Sequence, residues 1–230
     1  MKQLLYVSLL ATLSTLFLVS SCSPAYIPNV VNTPLMSKKG DITTSGHIGT
    51  SGYDFQLAGA VTDHFGLMAN SNFLRFNNSE SKISMVELGS GYYTKVGLNG
   101  RFETYGGIGI GSYTRDKNPI DVNGNDNSVY VNGMFTRYFI QPTIGANTDI
   151  FQGGFAARLV YLRFVEDSRL EQAFRFEPVL TAKIGYKYLY FVIQGGVSAR
   201  VGNNDYDPLI TTQPFMFSIG VQAQLNLMDF

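Results

Sequence analysis

Two histidines, His47 and His64, and one cysteine, Cys22, are the conventional nucleophile, base or ligand chemistry of this chain. His47 lies a few residues before Ser51 and Asp54, the residue types of a nucleophile–base–carboxylate set. Acyl transfer of that kind needs a hydrogen bond between nucleophile and base, which proximity in sequence does not supply. A surface histidine is the simpler reading, and no catalytic residue is assigned. Asp116, Asp121, Asn123, Asn125 and Asp126 could bring oxygen donors to calcium, as could Asn203, Asn204, Asp205 and Asp207. Gly124 sits at the fourth position counted from Asp121, whereas an EF-hand loop places glycine at the sixth and Glu at the twelfth. Both stretches therefore read as polar loops, and no metal is expected. The run Gly106-Gly107-Ile108-Gly109-Ile110-Gly111 has the glycine density of a phosphate cradle. Such a cradle joins a strand to a helix, and no helical pattern follows. Glycine within a strand instead permits bending or the close approach of other side chains. No cofactor is expected.

Seven charges remain to be placed: Arg101, Glu103, Arg137, Arg175, Glu177, Lys183 and Arg200. Each falls on the polar side of an alternating pattern, the inside or the rim of a closed sheet. Ionised groups there must pair or meet water. Arg101 with Glu103 and Arg175 with Glu177 are the pairs the spacing suggests. A plugged interior that ties the strands together is favoured over a narrow hydrated path.

The elements that position them follow from period-two alternation, the mark of strands with unlike faces. Phe215, Phe217, Ile219, Val221 and Leu225 alternate with Met216, Ser218, Gly220, Gln222 and Asn226. Phe174, Phe176, Leu180 and Ile184 alternate with Arg175, Glu177, Thr181 and Lys183. Tyr53, Phe55 and Leu57 oppose Asp54, Gln56 and Ala58. Counting back from the C-terminus places strands near 214–227, 188–201, 173–186, 154–165, 129–147, 99–115, 82–95, 65–76, 53–61 and 41–49. The first is the weakest, and a different split would leave eight. Several runs reach the roughly 9–11 residues that a tilted strand needs to cross a bilayer. The pattern predicts an all-β fold: a closed antiparallel transmembrane barrel of about ten strands, with short periplasmic turns and longer outer loops.

Composition agrees. Charged residues are 15% of 230, with 17 Lys+Arg against 17 Asp+Glu. A soluble domain carries about 25%. The balance excludes a nucleic-acid partner, which requires a cationic surplus. Twenty-four glycines, 17 Phe and 14 Tyr accompany no Trp. Tyr92, Tyr93, Tyr186 and Tyr188 could form an interfacial girdle without it.

The N-terminus reads as an address. Lys2, an apolar Leu4–Val19 stretch and small residues describe a secretory signal. Val19-Ser20-Ser21-Cys22 resembles the lipobox of bacterial lipoproteins, which implies that Cys22 becomes the first mature residue and carries lipid. Residues 1–21 are then the signal peptide, 22–39 an extended periplasmic tether, and 40–230 the barrel. Pro24, Pro28 and Pro34 support the tether, because proline fixes φ and removes a donor. Tyr26, Ile27, Val30 and Val31 keep a binding segment as the alternative.

At the other end, Ser218, Gly220, Ala223 and Leu225 resemble the terminal-strand assembly signal of outer-membrane barrels, and Phe230 resembles their aromatic ending. Together these features resemble a small outer-membrane barrel protein of Gram-negative bacteria. That resemblance implies outer-membrane lipids as surroundings and the barrel-assembly machinery as a partner. An even strand count then puts both termini in the periplasm. The expected role is structural or interactive, through loops or tether, with an envelope protein or surface ligand as a further partner of unknown identity. A small porin-like passive channel is the alternative; a barrel hydrolase or a soluble lipocalin-like binder comes after it.

Overall fold

The computed structural model describes residues 24–76, 81–116, 129–166, 169–202 and 212–228. Eleven strands form a single sheet: β1 (Asp41–Gly49), β2 (Gly52–Ala60), β3 (Phe65–Arg75), β4 (Lys82–Val96), β5 (Gly100–Asp116), β6 (Tyr130–Asn147), β7 (Phe151–Glu166), β8 (Arg169–Tyr186), β9 (Leu189–Val197), β10 (Ala199–Val201) and β11 (Phe215–Asn226). Consecutive strands pair antiparallel from β1 to β9, and β11 lies between β9 and β1, so the sheet closes. The closing ladder runs from Asp41 opposite Asn226 to Gly49 opposite Ser218. β10 continues β9 beyond Ser198 and keeps the same partner strand, β8. The result is a ten-stranded antiparallel barrel whose ninth strand is interrupted at Ser198. Among the described residues no helix is long and apolar enough to cross a membrane, a fact that does not bear on a barrel.

Alternation dictates which side chain faces where. Phe55, Leu57, Ile140, Ile144, Leu180, Ile184, Phe217 and Val221 are exposed on the outside. Gln56, Gln141, Thr181, Lys183, Ser218 and Gln222 are buried inside. The first strand forms despite its poor apolar pattern. Its inward residues Asp41, Thr43, Ser45 and His47 are buried, and both of its edges are paired.

The two ends of the barrel differ. Residues 61–64, 97–99, 148–150 and 187–188 link strands at the end that also holds Asp41 and Asn226. The stretches before β4, before β6 and before β11 lie at the opposite end and are longer. One link at that end is much shorter than the strand bounds read from the sequence predict. β7 and β8 extend until Glu166 pairs with Arg169, where a longer polar loop was read from the sequence. Strands β5 to β8 run 17, 18, 16 and 18 residues, against 9 in β1 and β2. Their ladders therefore carry on where hydrophilic composition alone suggests a loop.

The largest departure concerns residues 24–36. Read from sequence as a tether outside the barrel, they are buried without interruption. The segment is extended, as its prolines require, but it runs through the barrel interior from end to end. Tyr26 bridges Thr212 at the long-loop end, and Ser37 meets Arg101 at the short-turn end. The cause is volume. Eight strands already enclose an interior that side chains just fill, and diameter grows with strand number. Ten strands leave space that this strap occupies.

Candidate functional site

The inward side chains of seven strands converge on the strap. Near the long-loop end, the Tyr26 hydroxyl donates to Glu177 at 3.0 Å. Its ring meets Phe135 edge-on at 6.0 Å and Phe164 at 6.4 Å. Arg137 donates to the Asn29 side chain at 2.5 Å, and Arg158 to the Asn29 carbonyl at 3.2 Å. At mid-lumen, Val31 and Gln194 form a reciprocal pair. The Val31 N–H donates to the Gln194 side-chain oxygen at 2.6 Å, and the Gln194 amide returns a bond to the Val31 carbonyl at 2.9 Å. The Val30 N–H donates to Asp54 at 3.2 Å, and Gln56 donates to the Val30 carbonyl at 2.8 Å.

Toward the short turns, Asn32 donates to Asn70 at 2.8 Å and Gln141 to the Asn32 carbonyl at 2.7 Å. Lys183 reaches the Thr33 carbonyl at 2.6 Å and Gln222 at 2.8 Å. The Met36 N–H donates to Glu103 at 2.6 Å, and Asn147 to the Leu35 carbonyl at 2.8 Å. Leu35 itself takes a φ of 53°, where the strap turns toward β1. A non-glycine residue there costs on the order of 1 kcal/mol. Prolines suit such a segment, because each removes one N–H that the lumen would have to satisfy.

Six of the seven expected interior charges are buried: Arg101, Glu103, Arg137, Arg175, Glu177 and Lys183. Arg200 stands opposite Arg175 in the ladder but is exposed at the rim. The partners differ from those suggested by spacing. Glu177 takes Arg158, at 2.6 Å, rather than Arg175. Glu103 receives the Met36 N–H, while Arg101 donates to Ser37 at 2.7 Å. Geometry explains the choice. Residues i and i+2 of one strand are nearly 7 Å apart, whereas directly opposed residues are about 5 Å apart. Arg158 and Glu177 are directly opposed. Arg137 adds Glu87 at 3.4 Å and Glu177 at 3.8 Å. Arg175 turns instead to Ser198 and Thr212.

The sequence pattern did not assign Arg158, Glu87, Asp54 and Gln194 to the interior network, although all four are buried on the inward faces of their strands. It also missed an apolar zone near the long loops, where Tyr113, Phe135, Leu162 and Phe164 are buried with Tyr26. Inward Gly107 and Gly111 make room for aromatic rings. A Cβ at Gly111 would lie 2.3 Å from the Phe135 ring, and one at Gly107 2.5 Å from that of Phe139. The glycine run thus serves side-chain packing.

His47 is not on the surface. It is buried and contacts Ser45 at 3.0 Å, while Ser51 donates to Asp54 at 2.6 Å. The base and the hydroxyl nucleophile therefore have separate partners. His64 stacks on Tyr92 in the β2–β3 turn. Of the four tyrosines near the short turns, Tyr92, Tyr186 and Tyr188 face outward, and Tyr93 points in and donates to the Thr62 carbonyl. Of the assembly signal, Ser218 is buried, Leu225 is exposed, and Gly220 and Ala223 are half-buried. Cys22, Phe230, most of the Asp116–Ser128 stretch and Asn203–Asp207 lie outside the described residues. A recess of about 480 Å³ opens at the short-turn end, lined by Asp41, Arg101, Asn147, Gln152, Lys187 and Tyr190. Ser37 of the strap forms part of its wall.

No family model matches the chain, and no curated protein is detectably similar to it.

Proposed function

We propose that this protein is an outer-membrane β-barrel lipoprotein whose barrel is a closed scaffold, with a structural or interaction role exerted through its exposed loops. The observation that carries the reading is the strap, whose hydrogen bonds reach inward side chains from β2 around to β9. A passive channel needs a continuous hydrated path, and the strap occupies the space where that path would run.

The outer surface supports a membrane setting. Phe55 is 63% exposed, Leu180 65% and Ile184 61%. Leaving one such side chain in water rather than burying it costs about 1.5–3 kcal/mol. A belt of them around a barrel with buried ions inside is the inverse of a soluble protein and the pattern of a transmembrane barrel. The lipoprotein part of the reading rests on the lipobox-like Val19–Cys22.

Planar-bilayer recording of the purified full-length protein tests the closed scaffold. No steady unitary current is expected. Steady currents that disappear when Glu177 and Arg137 are neutralised would favour the channel. Release of the protein from membranes by a carbonate wash would contradict the spanning barrel altogether.

A further inference from the structure

The strap gives the chain a sidedness that strand number alone does not. An even number of strands brings Asp41 and Asn226 side by side at the short-turn end. The residues before Asp41 then run back through the lumen. Ser37 meets Arg101 and Asn147 at the short-turn end. Tyr26 bridges Thr212 and accepts the Gln213 N–H at the long-loop end, within reach of Glu177. We infer that the chain threads its own barrel, so that its N-terminus leaves at the long-loop face and its C-terminus at the short-turn face.

Distances decide what this means for Cys22. Tyr26 to Ser37 is 11 residue steps (37 − 26), at most about 36–40 Å of extended chain. That matches the roughly 30 Å hydrocarbon core plus its margins. Cys22 lies two residues (24 − 22) before Pro24, a reach of about 7 Å. Returning to the short-turn face would take another nine or so residues at that rise. A second pass through the lumen is also obstructed, because the strap is bonded to inward side chains of seven strands. The two residue steps between Pro24 and Cys22 therefore do not span the distance back to the short-turn face. Naming the long-loop face external rests on the outer-membrane reading proposed above. On that reading the lipid of Cys22 inserts in the outer leaflet, and the N-terminal anchor and the long loops present one combined surface outside the cell. A tether hanging into the periplasm is the opposite arrangement.

The only cysteine of the sequence makes the chain its own probe. The mature protein, residues 22–230, is produced without acylation and reconstituted in liposomes. It carries one protease-cleavable tag inserted after Asn123 and another after Phe230. Orientation is scored by external protease, and Cys22 by a membrane-impermeant maleimide. We expect Cys22 labelling to follow cleavage of the tag after Asn123, with at least tenfold less labelling in vesicles that expose the C-terminal tag. Labelling that follows the C-terminal tag overturns the inference. Failure to insert into liposomes would count against the membrane reading, not against threading. Threading is then decided in detergent by Tyr26→p-benzoylphenylalanine. Photo-adducts to Phe135, Phe164 or the Thr212 region support it, and adducts confined to the short turns, or none, overturn it.

Discussion

Glu177 is where the lumen concentrates its charge. It accepts from Tyr26, Ser198 and Arg158 and faces Arg137, all of them buried. Removing one member of a buried ion pair leaves the other charge uncompensated, which costs about 3–5 kcal/mol. Glu177→Gln is therefore expected to lower unfolding stability by that amount in urea titrations of the folded protein. A change below about 1 kcal/mol would mean that water already screens the cluster. Gly220 offers a steric test at the same scale. A Cβ there would lie 2.4 Å from His47 Nδ1 and 2.5 Å from the Gly46 carbonyl, whereas one at Gly195 meets nothing within 4 Å. Overpacking costs about 1–3 kcal/mol. Gly220→Ala should destabilise the β1–β11 seam by roughly that much, and Gly195→Ala should leave it unchanged, as read by heat-modifiable migration on detergent gels.

At the scale of elements, the strands were legible and the strap was not, for a physical reason. A strand between two media writes its environment into every second residue. The 41–49 strand was read with the bounds it has, and that at 82–95 ends one residue later, at Val96. Ladders beyond the membrane-length core, as at Glu166 opposite Arg169, depend on a partner strand and leave a weaker trace. The strap's neighbours come from every side and far along the chain. Asn29 meets Arg137 and Arg158, and Thr33 meets Lys183, so no period emerges. Its prolines read as a linker although they equally suit a strap. The signal that was present lay in Tyr26, Ile27, Val30 and Val31, too apolar for a solvated tether. The interior ion pairs were half legible: alternation identified the face, and register chose the partner. Gln194 tests the strap as an element. Gln194→Ala removes both bonds of its pair with Val31. Leaving buried groups unsatisfied costs about 1–3 kcal/mol each. Exchange at the Val31 amide should accelerate at least tenfold in this variant, and an unchanged rate would show that the strap is held elsewhere.

The whole molecule joins an apolar exterior to a lumen closed by the chain's own N-terminal segment. The exterior is tested at Leu159, 51% exposed near the middle of β7 and next to buried Arg158. A lipid-facing Arg at the bilayer midplane costs about 2–4 kcal/mol. Leu159→Arg should therefore destabilise the protein in liposomes by that margin, and a negligible loss there would argue that this belt does not meet lipid. The lumen is tested most directly by hydrogen exchange on the unaltered protein, followed by mass spectrometry of peptides covering residues 25–38. The strap amides, including those of Val30, Val31 and Met36, are expected to exchange as slowly as those of the barrel strands. Complete exchange of that segment at the earliest time point, with the strands still protected, would contradict a lumen closed by the strap.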